Sequence, residues 1–190
     1  MPSHAELRRR LVEAAREMVR AGLVAGTSGN LSVRAGDGLL ITPSALPYDE
    51  LAEEDLVALS IDGEVLAGER EPSSERLVHL AIYAARPEAG ALVHTHSVHA
   101  TAWSFLGEQL DTGTEELEQA AGGAVATSVY AASGSQEIAA ATVAALDGRR
   151  AALMARHGAV AIGESPARAL DAALVVERQA QIAWLLRGAR

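Results

Sequence analysis

Ala91-Leu92-Val93-His94-Thr95-His96 is an apolar run that ends in two imidazoles. Such a run is typical of a buried β-strand, in which residues two positions apart point to the same face at a distance of about 6–7 Å. The sequence therefore predicts that His94 and His96 leave the end of one strand side by side. Their separation would allow both rings to bind one metal ion.

A third histidine, His157, completes the pattern. It lies in Ala155-Arg156-His157-Gly158, between the apolar runs 151–155 and 159–162, which predict two further strands. Three imidazoles with an open fourth position are typical of a catalytic zinc site, whereas structural zinc sites are closed by four protein ligands. The residues alone leave one alternative open, namely that His94 and His96 are strand residues bonded to the backbone and that His157 is unrelated to them.

The composition limits the partners of the chain. A net charge of −9 over 190 residues argues against nucleic acid or a membrane surface as a partner, because both attract clustered Lys and Arg. With 49% hydrophobic residues the chain can bury a large core, and we expect a single domain over residues 1–190. The chain has no cysteine, no signal-peptide pattern at its N-terminus and no apolar run of membrane-helix length, so we expect a cytoplasmic protein.

Helical and strand patterns alternate along the chain. This alternation favours an α/β fold in which helices pack on both faces of a mixed, mostly antiparallel sheet, an α/β/α sandwich of three layers. Capping residues, apolar periodicity and turn signals predict helices over 3–21, 75–86, 97–106, 135–146 and from 165 onward, and strands over 31–33, 39–41, 56–60, 64–66, 91–96, 125–129, 151–155 and 159–162.

Three polar loops could form a small-molecule site. They contain Thr27-Ser28-Gly29-Asn30, Ser44 and Ser73-Ser74, which also have ordinary turn and capping roles. Their hydroxyls and free N–H groups suit a phosphate, which a negatively charged chain can bind without clustered cations. Glu75 follows the third loop, where a carboxylate stabilises a helix start but could also transfer a proton beside a metal ion.

Further ionisable side chains are of secondary interest. His79 lies one helical turn after Glu75, and packing explains this position as well as a role in the site does. His99 follows His96 and has either a structural role or one that supports the metal ligands. Glu115, Glu116 and Glu118 form an acidic cluster that is typical of a solvated helix start, with an acid–base role for one of them as the alternative.

The motifs taken together resemble class II aldolases of the aldolase/adducin family, and within it the L-fuculose-1-phosphate aldolases. The resemblance extends over about residues 5–185, in the order of the family. Its motifs are Gly26-Thr27-Ser28-Gly29-Asn30-Leu31-Ser32, Ile41-Thr42-Pro43-Ser44, Pro72-Ser73-Ser74-Glu75, Val93-His94-Thr95-His96 and Arg156-His157-Gly158.

The resemblance implies the fold, the cofactor and the residue roles. It implies a three-layer sandwich, a homotetramer with active sites between subunits, and zinc or another divalent metal held by His94, His96 and His157. It implies that Glu75 is the acid–base group and a metal ligand in the absence of substrate; the epimerases of the family carry Asp at this position. The phosphate-binding positions that it implies are Thr27, Gly29, Asn30, Ser44, Ala45, Ser73 and Ser74.

The chain departs from the family pattern at three places. Ala45 stands where the fuculose-phosphate aldolases have glycine. Glu116 stands where they carry a tyrosine that donates a proton, with Glu118 nearby, and their C-terminal tail is longer than the sequence that ends here at Arg190. We therefore expect that the part of the site that binds the metal and the enolate is retained. The part that binds the aldehyde would differ from that of the fuculose-phosphate aldolases.

These observations predict a zinc-dependent aldolase. It would cleave a ketose phosphate similar to L-fuculose 1-phosphate into dihydroxyacetone phosphate and an aldehyde, through a metal-stabilised enediolate. The alternatives are a decarboxylase, dehydratase or epimerase of a sugar or keto acid on the same metal site, or a non-catalytic module like the adducin head.

Overall fold

The computed structural model describes residues 3–189 of the chain. Met1, Pro2 and Arg190 lie outside the described residues. The expectations about the signal peptide and the C-terminal tail depend in part on these residues. The strands of the described part are β1 (Asn30–Ala35), β2 (Gly38–Ile41), β3 (Val57–Ser60), β4 (Val65–Ala67), β5 (Ala91–Thr95), β6 (Ala151–Met154) and β7 (Gly158–Gly163). The helices are α1 (His4–Arg20), α2 (Arg76–Ala85), α3 (Val98–Ser104), α4 (Glu115–Ala121), α5 (Gln136–Leu146) and α6 (Pro166–Gly188), with a short 3-10 helix at Glu53–Asp55.

The strands form one sheet in the order β4-β3-β2-β1-β5-β7-β6, and neighbouring strands pair antiparallel. Strand β5 lies between β1 and β7. Its register pairs His94 with Asn30 on one side and with Val160 on the other. Residues that pair directly across a ladder point to the same face, so β1 and β5 present Asn30 and His94 together.

Helices cover both faces of the sheet, which confirms the three-layer sandwich. Side chains alternate along β5, so that Ala91 and Val93 pack with α1, α3, α4 and α6, whereas Leu92 packs with α2 and α5. His94 follows Leu92 by two positions and therefore faces the layer of α2 and α5. None of the helices within residues 3–189 is both long and apolar enough to span a bilayer.

The helix starts follow the local sequence. Ser3 caps α1 by accepting a hydrogen bond from Glu6 N–H, and Ser165 caps α6 in the same way through Arg168 N–H, with Pro166 at the first helical position. Helix α2 begins one residue later than the sequence suggests. Glu75 is its N-cap residue and not part of the first turn, which frees the carboxylate to point away from the helix.

The strand predicted over 125–129 is wrong. In this segment Val125 forms an isolated antiparallel bridge with Leu110, and Thr127 forms an isolated parallel bridge with Leu153. Valine and threonine favour extended backbone, but a strand needs a continuous partner. Here the chain passes from one partner to another, so tertiary contacts override the propensity.

Candidate metal centre and active site

Three imidazole rings meet at the ends of the central strands. The ring centroids of His94, His96 and His157 form a triangle with sides of 4.8, 4.9 and 4.9 Å, and the ring planes are nearly perpendicular to one another. Together with the Glu75 carboxylate they offer one ligand atom each, all within 4.8 Å of one another. The histidines that the sequence singled out therefore converge in the fold.

The turn between β6 and β7 delivers the third ring. Arg156 has a left-handed backbone with φ of 59°, which tightens the turn just before His157. Gly158 then passes against the end of β5, where any Cβ atom would lie 2.2 Å from the Thr95 carbonyl oxygen. Glycine is required at this position because the two backbones approach too closely for a side chain.

A backbone contact orients the first ring. Nδ1 of His94 lies 2.9 Å from the Ala159 carbonyl oxygen, and because a carbonyl can only accept, Nδ1 carries the proton. The lone pair of Nε2 is then directed at the cluster. A hydrogen bond of this kind from the outer ring nitrogen is usual for metal-binding histidine.

Glu75 closes the cluster from the side of α2. Its Oε2 lies 3.0 Å from Nε2 of His94, and its Oε1 lies 2.9 Å from Nε2 of His157. The carboxylate also accepts hydrogen bonds from Asn30 at 2.8 Å and Ser133 at 3.0 Å. Each oxygen therefore has one imidazole neighbour and one hydrogen-bond donor.

The electrostatics of the cluster favour an ionised carboxyl at Glu75 and a neutral ring at His96. Burial would raise the pKa of the Glu75 carboxyl, but nearby His94 and His157 outweigh it and hold the pKa well below its usual range. Burial and the neighbouring rings lower the pKa of His96 to about 4. At neutral pH, Glu75 is a carboxylate and His96 a neutral imidazole, the forms in which these side chains bind metal.

The donor set fits a divalent cation such as zinc. Nε2 of His94 and Nε2 of His96 lie 2.9 Å apart, whereas two nitrogens of a tetrahedral zinc site lie about 3.3 Å apart. A small outward movement of the rings would therefore accommodate the ion. Imidazole and carboxylate are ligand types that zinc takes in catalytic sites, and the three imidazoles leave the fourth position to the Glu75 carboxylate or, in its place, to a substrate.

The predicted phosphate loops lie beside this cluster. Ser73 is buried, and its hydroxyl accepts a hydrogen bond from Glu75 N–H at 3.2 Å. The Ser44 hydroxyl joins two of the loops, because it donates to the Pro72 carbonyl and accepts from Ser74 N–H. Ser74 and Ala45, which also belong to these two loops, are exposed. Ala45 has a left-handed backbone with φ of 57°, a conformation that favours glycine.

The loop at residues 26–30 approaches from β1. A Cβ atom on Gly29 would lie 2.6 Å from the His94 carbonyl oxygen, so this loop packs directly on the strand that carries the ring. Exposed Thr27 lies at the outside of the loop. Asn30 is buried and turned inward, where its side chain contacts Glu75 and His79.

Glu116 lies elsewhere. It is exposed on α4, accepts a hydrogen bond from Gln179 of α6 at 2.7 Å, and borders a groove that also contains Gly163 and Glu164. That groove lies at the end of β7, whereas His157 precedes the start of the same strand. Within one chain, Glu116 is therefore remote from the cluster.

His99 has a structural partner. Its ring Nδ1 lies 2.8 Å from the Glu177 carboxylate, which also accepts hydrogen bonds from His99 N–H at 3.0 Å and Ala100 N–H at 2.8 Å. Glu177 of α6 thus caps the N-terminus of α3. Of the two roles predicted for His99, the structure shows the structural one.

Two residues that the sequence does not predict also contact the site or its loops. Ser133 donates to Glu75, and the Tyr48 hydroxyl donates to the Gly29 carbonyl oxygen at 2.5 Å, with burial raising the pKa of Tyr48. Ser133 lies in Ser133-Gly134-Ser135, which reads as a helix cap, and Tyr48 follows Pro47 in a loop. No nearby residues indicate a role for either side chain. Both lie in long connections between secondary-structure elements, and the course of these connections brings them to the site.

Comparisons with known proteins agree with this arrangement. The profile of the class II aldolase and adducin N-terminal domain family matches residues 9–184. The chain is 42% identical to the 5-methylthioribulose-1-phosphate/5-deoxyribulose-1-phosphate aldolase of Rhodospirillum rubrum, over 96% of this chain and 82% of that protein. It is 38% identical to the L-fuculose phosphate aldolase of Escherichia coli K12, over 93% of this chain and 82% of that protein.

A solved structure shows the same fold. An L-fuculose 1-phosphate aldolase superposes with a TM-score of 0.93 at 34% identity, covering 98% of this chain and 90% of that one. The sequence matches and the superposition extend over nearly all of the described residues, including the cluster and the three loops. The chain belongs to the class II aldolase and adducin N-terminal domain family, and it is a lyase of the aldolase type.

Proposed function

We propose that the protein is a zinc-dependent aldolase that cleaves a ketose 1-phosphate into dihydroxyacetone phosphate and an aldehyde. The observation that carries this proposal is the convergence of three imidazoles and one buried carboxylate beside three loops rich in hydroxyls and N–H groups. The retained His94, His96, His157 and Glu75 weigh against a non-catalytic module.

The metal would be held by His94, His96 and His157, with Glu75 as a further ligand in the absence of substrate. A divalent cation at this place supplies a Lewis acid that polarises a carbonyl group and stabilises negative charge on oxygen. The buried walls of the cluster strengthen that interaction, since charges interact more strongly away from water.

Glu75 would transfer the proton. In the synthetic direction its carboxylate takes a proton from the carbon next to the ketone of dihydroxyacetone phosphate. In cleavage the bond between C3 and C4 of the ketose breaks, and Glu116, the second proton carrier proposed for this site, accepts the proton that the C4 hydroxyl loses as the aldehyde forms. Glu75 takes up a proton from water and delivers it to C3. The anionic form of Glu75 at neutral pH suits the synthetic step.

The phosphate end would lie in the loops. The backbone N–H groups of Gly29 and Ala45, together with the serines Ser44, Ser73 and Ser74, can bind a dianion without a cationic side chain. Thr27 would shape the first loop. Asn30 would donate to the phosphate through the amide hydrogen that does not bind Glu75. The relatives named above act on different phosphorylated ketoses, and cleavage between C3 and C4 of any 2-ketose 1-phosphate leaves the same phosphorylated half.

We also propose a homotetramer with the active site between subunits. Four large apolar side chains are exposed on segments next to His96 or to the turn that carries His157: Val98 at 70%, Phe105 at 61%, Val129 at 75% and Tyr130 at 65%. Exposed apolar side chains grouped in this way are typical of a subunit interface. The cytoplasmic location expected from the cysteine-free sequence stays a prediction.

Glu116 is our proposed proton donor on the aldehyde side. Its support is its position before Gly122-Gly123, where the family carries a tyrosine, and because it is remote from the cluster of its own chain it would serve a neighbouring subunit. In Glu116→Gln we expect a lower turnover number with unchanged metal content and melting temperature. An unchanged turnover number removes Glu116 from the mechanism.

The experiment that tests the function is a coupled assay of synthesis and cleavage. Dihydroxyacetone phosphate is supplied with a panel of aldehydes, including lactaldehyde and methylthioacetaldehyde, in zinc-loaded and chelator-treated protein, and the products are identified by mass spectrometry. We expect zinc-dependent condensation with at least one aldehyde. Release of carbon dioxide, loss of water or epimerisation of a ketose phosphate in place of carbon–carbon cleavage would overturn the proposal.

A further inference from the structure

A continuous row of buried hydrogen bonds leads from Glu75 into the core. Asn30 Nδ2 lies 2.8 Å from Glu75 Oε2, and Asn30 Oδ1 lies 2.5 Å from Nε2 of His79. Nδ1 of His79 lies 2.6 Å from the Ser32 hydroxyl, which lies 2.9 Å from the Tyr83 hydroxyl. All five side chains are buried, with exposures between 0% and 7%.

Two regular spacings produce this row. His79 and Tyr83 are four residues apart on one side of α2, and Glu75, the N-cap residue, precedes His79 by the same interval. Asn30 and Ser32 are two residues apart on β1 and point to the face of the sheet that α2 covers. The helix and strand side chains interleave because the two elements pack side by side.

The hydrogen bonds can run in one direction only. A carboxylate accepts hydrogen bonds, so the Asn30 amide must present its NH2 group to Glu75 and its oxygen to His79. Nε2 of His79 must then be the donor. Burial lowers the pKa of His79 to about 3, so its ring is neutral and Nδ1 accepts from Ser32. Since the Ser32 proton is used there, its oxygen accepts from Tyr83.

The far end of the row is anchored. The Arg34 guanidinium lies 4.7 Å from the centroid of the Tyr83 ring and donates to the Tyr83 carbonyl oxygen at 3.0 Å. It also donates to the Ala89 carbonyl oxygen at 3.1 Å. Arg34 follows Ser32 by two positions on β1, so its side chain points to the same face of the sheet as Ser32. There it holds Tyr83, the last residue of the row, in place.

We propose that His79 and Ser32 are positioning residues for Glu75, which hold the Asn30 amide in the one orientation that donates to the carboxylate. This inference rests on the proposed role of Glu75 in proton transfer. Without the N–H group of His79, the amide could turn over and present its oxygen to the carboxylate, which would repel it. Glu75 would then lose a donor on Oε2 and leave its place between His94 and His157.

Two substitutions of His79, each by a side chain that ends in an amide, distinguish a positioning role of this residue from a packing role. Glutamine places its amide nitrogen near the position of Nε2 of histidine, whereas asparagine reaches only the position of Nδ1. We expect His79→Asn to lower the turnover number about 10- to 100-fold, as for other residues that orient metal-site groups, with the KM for the ketose phosphate changed less than about threefold. We expect His79→Gln to retain most of the turnover, and zinc content to be unchanged in both.

The ring itself gives a readout that does not depend on turnover. Nitrogen-15 NMR of histidine-labelled protein at neutral pH should show Nε2 of His79 protonated and Nδ1 bare, with and without zinc. The opposite tautomer, or a charged ring, would overturn the inference. Should His79→Asn fail to fold, Ser32→Ala removes one hydroxyl from the row and should lower turnover in the same direction, with unchanged KM.

The outcomes distinguish this inference from the proposed function. Full turnover in His79→Asn and Ser32→Ala, together with loss of turnover in Glu75→Gln, would overturn the positioning role and leave the function intact. Full turnover in Glu75→Gln would overturn the function, and the tautomer of His79 would still test the row. Equal loss in His79→Gln and His79→Asn would mark His79 as a packing residue.

Discussion

Oε1 of Glu75 lies 2.9 Å from Nε2 of His157, although one residue precedes a helix and the other lies in a hairpin turn at the far side of β5. The contact joins the two halves of the chain at the cluster of three imidazoles and one carboxylate. A substitution at either side chain therefore removes a contact of the other.

Replacement of Glu75 tests the proton transfer. In Glu75→Gln the side chain keeps its size and one oxygen but cannot take up a proton. We expect a loss of turnover of about 10²- to 10⁴-fold, with zinc still bound by the three histidines. Steady-state kinetics and metal analysis measure both quantities, and Glu137→Gln, at an exposed site on α5, is the control. Turnover close to that of the unmodified protein would contradict the role.

Removal of the metal should lower thermal stability. A ligand that binds only the folded state at a free concentration 100 times its Kd stabilises by about 2.7 kcal/mol, which corresponds to a shift of about 5–10 °C for a chain of this length. Differential scanning calorimetry with chelator and with added zinc measures the shift. His157→Ala should abolish it, whereas His4→Ala, at an exposed position on α1, should not. A chelator-insensitive midpoint in the unmodified protein would be evidence against the site.

The close approach at Gly158 predicts a sensitive position. In Gly158→Ala the new Cβ would lie 2.2 Å from the Thr95 carbonyl oxygen and 3.2 Å from Cδ2 of His96, so β5 and the ring must both move. We expect a destabilisation of about 1–3 kcal/mol and weaker zinc binding. Urea unfolding and competition with a zinc chelator measure these effects. Gly188→Ala, with open space around it, serves as the control, and equal behaviour of the two variants would refute the prediction.

Glu177 should stabilise the fold in a pH-dependent manner. Burial would raise the pKa of its carboxyl, but hydrogen bonds from His99 and Ala100 N–H outweigh it and lower the pKa. A carboxyl whose pKa is lowered by folding contributes stability above the unfolded-state value, near 4.5, and loses it as the pH falls through the folded-state value. We therefore expect Glu177→Gln to cost about 1–2 kcal/mol at pH 7 and progressively less below pH 4.5.

Urea unfolding over a range of pH values measures this difference. The control is Glu13→Gln, because the Glu13 side chain is 66% exposed and lies 3.9 Å from Arg9, a weak surface pair. A stability difference for Glu177→Gln that stays constant from pH 7 to pH 4 would show that the carboxylate does not act as a charged cap.

The proposed tetramer makes a prediction about the exposed apolar side chains. Phe105→Glu places a charge in the proposed interface and should shift the protein to smaller species in light scattering after size-exclusion chromatography. Leu66→Glu, on the edge strand β4 with an exposure of 64% at the other end of the sheet, should leave the assembly unchanged. Dissociation by Leu66→Glu alone would place the interface elsewhere.

Local patterns explain how much of the site was predictable. The convergence of His94 and His96 follows from the alternation of side chains along one strand, and that of His157 from a turn between two apolar runs. Ser133 and Tyr48 could not be predicted, because their contacts depend on where long connections pass. The sequence places Asn30 in a loop that is expected to bind phosphate. Only the pairing of β1 with β5 shows that its side chain turns toward Glu75.

The fold shows the same division. Capping residues and hairpin turns located most elements, since these signals lie within a few residues of one another. The segment 125–129 has the composition of a strand but divides its bridges between Leu110 and Leu153, which no local pattern reveals. The remoteness of Glu116 from its own cluster likewise follows from how α4 packs against α6, which is a property of the whole chain.

The pairing of Asn30 with His94 makes strand alignment a condition for activity. A slip of one residue between β1 and β5 would turn Asn30 and Ser32 into the opposite helical layer and place Leu31 beside His94. Such a misaligned chain would keep its sheet but lose the donor to Glu75 and the partner of His79. Recovery of enzyme activity during refolding would therefore report the correct alignment of these two strands, which spectroscopic measures of strand content cannot distinguish.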